Sequence, residues 1–383
     1  MTVLFLVIQF LYTLLTLVLW VAWQRIPAFG KPGSVAETRI SVIVVVRNEE
    51  SNIGGLLETI AAQTYPKRQF EVLVVNDFST DATAAIVNGF ARKAGFTLRL
   101  LELKDCPEHS FPAGSYKKKA IEWAVGQAIG ELIVTTDGDC LVPQHWLSLI
   151  AAFYGHTHAR MICGGVTFTT TPTAKPSVFA QLQTVEFASL IGSGAATLRL
   201  GVPTMCNAAN LAFSKQAFLE VGGYQDTATT ATGDDLFLMH KIHRRYPGKV
   251  QFLKNPQSVV HTLPQANPTD FYQQRKRWAS KWSLYEDKRV SGLAVFVVLA
   301  NVLSISGLLA VVFGSFPLAV FLAGASMRWL AEGGFLVSVL YYLRKQRSGC
   351  WIPVVQWIYP FYVVFFGLAA QKKGYRWKGR DLR

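Results

Sequence analysis

Acidic residues form two short groups that could do chemistry. The stretch "TGDDLFLMHKIHRRY" carries the adjacent carboxylates Asp234 and Asp235 just before an amphipathic run, and "TTDGDC" carries Asp137 and Asp139 on either side of Gly138. Carboxylates at the start of a helix often only cap free N–H groups and face the positive end of the helix dipole. A positioned carboxylate can instead take a proton from an attacking hydroxyl group. Both interpretations of Asp234 and Asp235 are open at this point.

The Asp137–Gly138–Asp139 pattern predicts a divalent cation site. Mg²⁺ or Mn²⁺ is commonly held by one or two carboxylates together with phosphate oxygens of a substrate. A glycine between the two acids lets the backbone approach closely. The alternative is an ordinary polar turn after a strand, because Asp and Gly are common turn residues.

An alternation of strands and helices must position these acids. Between about 38 and 285, the β-rich runs "RISVIVVV", "FEVLVVND" and "ELIVTTD" alternate with helical patterns, and "TLRLLEL" reads as a further strand. This order predicts an α/β fold with a parallel, doubly wound sheet. Ligands of such sheets bind beyond the carboxyl ends of the strands, where "VRNEE", "VNDFSTD" and "TDGDC" would meet. The first strand is not followed by GxGxxG, which disfavours a dinucleotide cofactor.

The composition narrows the class of protein. Hydrophobic residues make up 51% of the 383 residues, charged residues only 16%, and the net charge is +14. Such a basic excess on an apolar chain indicates contact with an anionic membrane or an anionic substrate. The basic residues form no single basic domain, so nucleic acid is not an expected partner. The five scattered cysteines contain no CxxC pair and are expected to be reduced thiols in a cytosolic compartment.

Apolar segments predict membrane spans. Residues 2–23 carry no charge and are long enough to cross a bilayer as a helix, without the basic start of a cleaved signal peptide. Residues 291–313 and 316–343 predict two more spans. Residues 351–370 are broken by two prolines and have basic residues on both sides, so we expect a re-entrant or interfacial pair of short helices. A fourth full span is the alternative.

These segments predict the following organisation: an N-terminal transmembrane helix (1–23), a linker (24–37), a cytoplasmic domain (38–290), two transmembrane helices (291–343), and re-entrant or interfacial helices with a basic tail (344–383). Arg25 and Lys31 follow the first span, so the positive-inside rule places the next segment in the cytoplasm. The chain lacks eukaryotic sorting signals, which indicates an integral protein of a bacterial inner membrane.

The third span contains an ionisable pair. Arg328 and Glu332 are four residues apart and share one helix face. Ionisable groups inside a bilayer cost free energy and often mark function, for example by seating a polar lipid headgroup. The alternative is an ion pair that only packs the helices together.

Several motifs follow one another between about residue 40 and 380: "VVVRNEE", "VVNDFSTDAT", "YKKKAIEWAVGQAIGELIVTTDGD", "CNAANLAF" followed by "FLEVGGY", "TGDDLFL" and "QRKRW". Their order resembles that of membrane-bound family 2 glycosyltransferases with the GT-A fold, which include processive synthases and ceramide-glucosyltransferase-like enzymes. The resemblance implies a cytoplasmic GT-A domain plus transmembrane helices. It also implies inverting transfer of a sugar from a nucleotide diphosphate, usually UDP with GDP also open, to an acceptor hydroxyl.

The resemblance also implies roles for individual residues. Asp235 is the general base, and Asp137 with Asp139 holds a divalent cation, Mg²⁺ or Mn²⁺. The nucleotide site is implied to contain Arg47, Asn48, Glu49, Asp77, Lys117, Asp137, Gln274 and Arg277. The acceptor site is implied to contain Trp278, Cys206, Asn207, Asn210 and Asp234.

Three of these assignments keep an alternative. Tyr116 stands where many relatives have glycine, so the lysine assignment is open among Lys117, Lys118 and Lys119. The "CNAANLAF" segment fits a loop of buried small residues equally well. The QxxRW segment, being basic and aromatic next to a span, also fits an interfacial helix.

Three functions are compatible with the sequence. The first is transfer of one or a few sugars to a membrane lipid or a growing glycan, with membrane lipids as partners. The second is a processive polysaccharide synthase subunit. The third, from a different class, is a non-catalytic membrane scaffold that keeps a degenerate transferase fold.

Overall fold

A computed structural model of the protein describes residues 2–30, 37–107, 115–169, 176–225, 233–280, 287–371, 374–377 and 380–382. Most of the predicted linker 24–37 lies outside these residues. The chain divides into two compact units. We name them the sheet unit (Pro27–Thr169, Met205–Leu263 and Arg376–Arg383) and the helical unit (Met1–Ile26, Thr170–Thr204 and Pro264–Tyr375).

The sheet unit is built on a seven-stranded sheet. Its strands are β1 (Ile40–Val46), β2 (Phe70–Asn76), β3 (Thr97–Glu102), β4 (Leu132–Asp137), β5 (Met161–Gly164), β7 (Leu211–Ser214) and β8 (Val250–Leu253), in the order β3-β2-β1-β4-β7-β5-β8. A small pair is formed by β6 (Val166–Phe168) and β9 (Val260–Thr262). The helices of this unit are α2 (Ile53–Ala61), α3 (Thr83–Ala91), α4 (Tyr116–Gln127), α5 (Trp146–Thr157), α7 (Lys215–Glu220) and α8 (Asp234–Arg245).

Three parallel strands carry the predicted site edge. β1 pairs in parallel with both β2 and β4, and its last residues lie opposite Asn76 and Asp137. The strands are runs of Val, Ile and Leu that are almost wholly buried, as expected for a sheet covered on both faces. The carboxyl ends of β1, β2 and β4 therefore meet at one edge, which confirms the predicted α/β arrangement. β7 is antiparallel to its neighbours, so the sheet is mixed.

The helical unit contains the long apolar helices. Its helices are α1 (Thr2–Gln24), α6 (Val178–Arg199), α9 (Pro268–Ala279), α10 (Lys288–Val312), α11 (Leu318–Tyr342) and α12 (Ile352–Ala369). Within the described residues, four helical segments are long and apolar enough to cross a membrane: Thr2–Gln24, Lys288–Val312, Leu318–Tyr342 and Gln346–Ala369.

A further pair of short strands, β10 (Tyr375–Trp377) and β11 (Arg380–Leu382), follows α12.

The last apolar segment differs from the pair of short helices that we expected. α12 is one helix that continues through Pro360. Pro353 lies in its first turn, where a missing N–H is tolerated because no intrahelical partner is needed there. Pro360 removes one intrahelical bond without ending the helix. Whether this segment crosses the bilayer stays a prediction.

The predicted boundaries also cut across the two units. We expected 38–290 to form one domain, whereas α6 and α9 cluster with the apolar helices. The membrane and cytoplasmic boundaries themselves stay predictions.

The Arg328 side chain, on α11, contacts residues of two other helices of the helical unit, α10 and α1. It is 3% exposed and donates to Glu332 Oε1 at 2.9 Å, Ser304 Oγ at 3.1 Å and Asn301 Oδ1 at 2.8 Å. Its guanidinium lies 4.0 Å from the ring centroid of Tyr12 on α1. Because these partners engage the guanidinium within the protein, the geometry favours the packing interpretation over a headgroup site.

Candidate active site

The loops after β1 and β2 are locked to each other by hydrogen bonds. Arg47 Nη1 donates to the carbonyl oxygens of Asp77 and Phe78 at 2.9 and 3.0 Å. Asn48 has a positive φ of 52°, accepts from the Thr80 N–H through Oδ1 at 2.9 Å, and donates its own N–H to Ser79 Oγ. Arg47 and Asn48 thus lie at the predicted site edge, where these hydrogen bonds shape the loop after β2.

Glu49 and Gly138 are close neighbours at the same edge. Glu49 is buried, and its Oε2 accepts from Asn52 Nδ2 at 2.8 Å. A Cβ placed on Gly138 would lie 2.9 Å from Val46 Cγ1 and 3.1 Å from Glu49 Cγ. A side chain between the two acids would therefore force the Val46 or Glu49 side chain to shift, which glycine avoids.

Asp77 is held by a residue that our sequence reasoning did not identify. Its carboxylate is fully buried and accepts two bonds from Arg380, from Nη1 to Oδ2 at 2.8 Å and from Nη2 to Oδ1 at 3.0 Å. The Arg380 guanidinium lies 3.9 Å from the ring centroid of Tyr116 and 6.0 Å from that of Phe78. No motif distinguishes Arg380 among the basic residues near it in the sequence.

Lys117 joins the two acidic groups. It lies in the first turn of α4, and its Nζ is 2.8 Å from Asp137 Oδ1 and 3.7 Å from Asp234 Oδ2. Burial lowers the pKa of Lys117, but the carboxylates of Asp137, Asp234 and Asp235 outweigh it and raise the pKa above its usual value. The lysine is therefore a fixed cation between the end of β4 and the start of α8.

Asp234 and Asp235 both occupy the first turn of α8. Gly233 precedes the helix with a φ of 84°, so the chain enters α8 through a conformation that favours glycine. The side chain of Asp234 is 13% exposed and faces Lys117. Asp235 is buried, and its Oδ1 accepts the N–H of Leu236 at 2.8 Å. The N-cap of α8 is Gly233 and no side chain caps this helix, so both acids face the positive end of the helix dipole without being the cap residue.

Asp137 and Asp139 fit the donor set of a divalent cation that also binds phosphate. The Asp137 side chain is 38% exposed, and Asp139 Oδ2 accepts from Thr262 Oγ1 at 3.3 Å. Burial, together with the charges of these two acids, raises the pKa of the Cys140 thiol, so it stays a neutral thiol. Among the described residues, no group of three or more His, Cys, Asp or Glu side chains suits a metal ion. The two acids match the few carboxylates that Mg²⁺ or Mn²⁺ uses when substrate oxygens complete its shell.

The "CNAANLAF" residues have mainly structural contacts. Asn210 is buried, accepts from Trp146 Nε1 at 2.9 Å, and donates to the carbonyls of Gly165 and Ser258 at 2.8 Å each. Asn207 caps a short 3₁₀ turn by accepting the Ala209 N–H at 3.0 Å. The Asn210 amide is occupied by the protein, which favours the buried-loop interpretation for this residue. Cys206 is half-buried, and its acceptor role stays a prediction.

The QxxRW residues lie on α9 in the helical unit. Gln274, Arg277 and Trp278 are all described there, and the Trp278 ring stacks on Phe187 at 5.7 Å between centroids. Their implied roles toward diphosphate and acceptor stay predictions. The intervening Arg275 donates to the Gln274 side-chain oxygen.

Arg275 and Glu186 form a buried ion pair that our sequence reasoning missed. Arg275 Nε lies 3.1 Å from Glu186 Oε1, Nη2 lies 2.5 Å from Oε2, and both residues are buried. Tyr362 donates to the same Glu186 Oε1 at 2.7 Å. The guanidinium also lies 4.3 Å from the Trp278 ring centroid and 4.5 Å from that of Phe271. The motif helix α9 is therefore anchored on α6 and α12 through the side chain next to Gln274.

Tyr224 is a further residue near the acids. Burial, with the charges of Asp234 and Asp235, raises its pKa well above the usual value, so it is a neutral phenol. It ends the segment "FLEVGGY" that contributed to the resemblance, which was the only sequence signal for it.

Comparisons with known proteins identify the family. A model described as "Glycosyl transferase family 2" matches residues 41–178, and one described as "Glycosyl transferase family group 2" matches residues 132–370, more than half of the chain. The chain belongs to the family 2 glycosyltransferases. The sequence resemblance is thereby confirmed at the level of the family.

Individual relatives of this glycosyltransferase are distant. "Glycosyltransferase AglE" of Haloferax volcanii is 35% identical over 130 residues, which are 34% of this chain and 40% of that protein. A poly-beta-1,6-N-acetyl-D-glucosamine synthase of Staphylococcus epidermidis is 25% identical over 271 residues, 66% of this chain and 58% of that protein. These alignments span less than two thirds of the length of either relative.

A solved structure supports the GT-A fold of this glycosyltransferase. The mannosyltransferase PcManGT from Pyrobaculum calidifontis, in complex with GDP-Man and Mn²⁺, superposes with a TM-score of 0.57 at 18% sequence identity. The match covers 94% of this chain and 98% of that chain. At this identity the likeness concerns the fold, and the predicted fold class is confirmed.

Proposed function

We propose that this chain is an inverting glycosyltransferase that moves a sugar from a nucleotide diphosphate donor to a membrane lipid or a growing glycan. The observation that carries the proposal is the position of Lys117, whose ammonium contacts both Asp137 and Asp234. The acid of the DGD motif and the acids of the GDD motif are therefore within reach of a single cation. A displacement at an anomeric carbon requires this proximity of a diphosphate site and a base.

The proposed reaction is a single displacement. The acceptor hydroxyl attacks the anomeric carbon, its proton passes to the Asp235 carboxylate, and the bond from the sugar to the nucleotide diphosphate breaks. Attack from the side opposite the leaving diphosphate inverts the anomeric configuration. Asp235 is suited to this role because it is held in the first turn of α8 beside Asp234, which faces Lys117.

Charge on the departing diphosphate must be balanced. Asp137 and Asp139 would hold Mg²⁺ or Mn²⁺, and such an ion supplies electrostatic stabilisation of the leaving group. Lys117 is a second cation at the same place, fixed by its two acidic neighbours. Asp77 and the loop fixed by Arg47 and Asn48 are proposed to bind the nucleoside. We also propose that Gln274 and Arg277 bind the diphosphate.

The long apolar helices support the proposal of a lipid-linked acceptor. Four described helical segments have the length and apolar composition of spans, in line with an integral membrane protein. We place the enzyme in a bacterial inner membrane with the sheet unit in the cytoplasm, as the positive-inside rule suggests. A processive synthase is the second candidate, favoured by the similarity to the poly-beta-1,6-N-acetyl-D-glucosamine synthase of Staphylococcus epidermidis.

Release of nucleotide tests the proposal. Purified protein in detergent is incubated with Mn²⁺ or Mg²⁺ and a panel of UDP- and GDP-sugars, with and without a bacterial membrane lipid extract. We expect lipid-dependent release of nucleotide from one donor, and loss of that release in the Asp235→Asn variant. Mass spectrometry of the lipid then separates addition of one sugar from addition of a polymer.

Two outcomes count against the proposal. Release of nucleotide at the wild-type rate by Asp235→Asn would contradict the proposal that Asp235 is the general base. Binding of no donor nucleotide at all would favour the non-catalytic scaffold.

A further inference from the structure

Arg380 in the sheet unit donates two hydrogen bonds to Asp77, the residue that is proposed above to bind the nucleoside. We propose that Arg380 competes with the nucleoside of the donor for Asp77 and for the ring of Tyr116. This inference rests on the proposed function, because it takes Asp77 as part of the nucleoside site. The strand β11 would then set the affinity of the enzyme for its donor.

The first argument is access to the Asp77 carboxylate. Its side chain is 1% exposed while both of its oxygens accept from Arg380, at 2.8 and 3.0 Å. Asp77 also donates its backbone N–H to the carbonyl of Val46 at 2.8 Å, and its own carbonyl accepts from Arg47. The position of Asp77 is thus fixed by β1. A ligand can reach the carboxylate only after the Arg380 side chain moves away.

The second argument is the chemistry of the guanidinium. It is planar, donates N–H groups in its plane, and lies on an aromatic ring, here with its central carbon 3.9 Å from the Tyr116 centroid. A nucleobase that donates an N–H to a carboxylate and stacks on an aromatic side chain has the same requirements. Arg380 therefore makes the two contacts, with the Asp77 carboxylate and with the Tyr116 ring, that a bound base would have to make in its place.

The third argument is the position of Tyr116 in the site. Tyr116 stands directly before Lys117, and its ring gives the guanidinium its stacking surface. Lys117 in turn lies 2.8 Å from Asp137 of the DGD motif. The contact of Arg380 with Tyr116 is therefore next to the residues that are proposed to bind the diphosphate.

Nucleotide affinity measures the competition directly. Binding of UDP and of GDP in the presence of Mn²⁺ is measured by calorimetry on the full chain in detergent, for the wild type, Arg380→Lys and Arg380→Ala. If the competing contact is occupied in most molecules, removing it lowers the apparent Kd by about tenfold or more. Lysine pairs with a carboxylate without the bidentate fork, so Arg380→Lys should fall between the other two.

Hydrogen exchange gives a second readout that does not depend on activity. Addition of the nucleotide that binds should speed amide exchange at residues 380–382 of the wild type, because β11 loses the Arg380 anchor. Arg99→Ala is the matched control, since Arg99 is an arginine of the same unit that lies 3.9 Å from the buried Glu71. This control should leave nucleotide affinity unchanged.

The outcomes separate this inference from the proposed function. An unchanged or weaker nucleotide affinity in Arg380→Ala overturns the competition, while the proposed function stands if the wild type still binds and Asp77→Asn does not. Absence of nucleotide binding in every variant overturns the proposed function, and the competition with it. A graded gain from wild type through lysine to alanine supports the competition.

Discussion

Lys117 Nζ lies 2.8 Å from Oδ1 of Asp137, which links the first turn of α4 to the last residue of β4. The same ammonium is 3.7 Å from Asp234 at the start of α8. Three elements that are far apart in sequence thus share one cation. The arrangement keeps two carboxylates close together at the site edge, where their charges would otherwise repel each other.

Replacing this lysine should expose that repulsion. In Lys117→Met we expect a loss of about 1–3 kcal/mol of stability and a large loss of donor affinity, because Asp137 and Asp234 lose their shared cation. Chemical denaturation and nucleotide calorimetry measure the two effects. Lys119→Met is the matched control, since Lys119 pairs with Glu122 at 3.6 Å on the same helix.

The pH dependence of that loss follows from the direction of the pKa shift. The folded pKa of Lys117 is raised above the usual 10.5, so its stabilisation is fully present below the unfolded pKa and is lost as the pH rises through the folded value. The stability difference between the wild type and Lys117→Met should therefore stay constant between roughly pH 7 and 9. A difference that shrinks across this range would mean that the lysine deprotonates near neutral pH.

Gly138 is expected to tolerate no side chain. In Gly138→Ala the new Cβ would lie 2.9 Å from Val46 Cγ1 and 3.1 Å from Glu49 Cγ, so one of these side chains or the Gly138 backbone must shift. We expect a loss of about 1–3 kcal/mol of stability and weaker Mn²⁺-dependent nucleotide binding. Gly89→Ala on α3 is the control, because nothing lies within 4 Å of a Cβ built there. Equal behaviour of the two variants would contradict the close approach at Gly138.

The buried pair of Arg275 and Glu186 should behave as a unit. Arg275→Met leaves the Glu186 carboxylate buried without its cation while Tyr362 still donates to it, and we expect a loss of about 3–5 kcal/mol in the helical unit. Adding Glu186→Gln to Arg275→Met should restore part of this loss, because no unpaired charge stays buried. Thermal unfolding in detergent of the two single variants and the double variant gives the coupling. Purely additive losses would show that the ion pair is not coupled.

The central sheet could be predicted because its signal is local. β1, β2 and β4 are apolar runs with polar residues at their carboxyl ends, and parallel pairing brings those ends to one edge. Asp137 and Asp139 belong to a short motif at the end of β4, and Asp234 and Asp235 belong to a separate short motif at the start of α8. The antiparallel insertion of β7 between β4 and β5 had no comparable signal, since pairing between segments distant in sequence leaves no periodic pattern.

The sequence alone did not reveal which residues pair with partners far away along the chain. Arg380 meets Asp77 across about three hundred positions of sequence, and Arg275 meets Glu186 across about ninety. Arg275 and Arg380 each stand in a basic stretch of the sequence, so only tertiary packing distinguishes them from the other basic residues there. The helical continuity of α12 was missed for a different reason. A proline lowers the stability of a helix interior, but packing can outweigh that cost.

The base assignment is the central claim, and transfer by Asp235→Asn compared with Asp234→Asn tests it most directly. With the donor found in the nucleotide panel, we measure donor affinity by calorimetry and sugar transfer to lipid by mass spectrometry. The proposal predicts that Asp235→Asn retains donor affinity and loses transfer by at least about 10²-fold, while Asp234→Asn mainly weakens donor binding through Lys117. Transfer by Asp235→Asn at the wild-type rate, with loss of transfer in Asp234→Asn at full donor affinity, would contradict it.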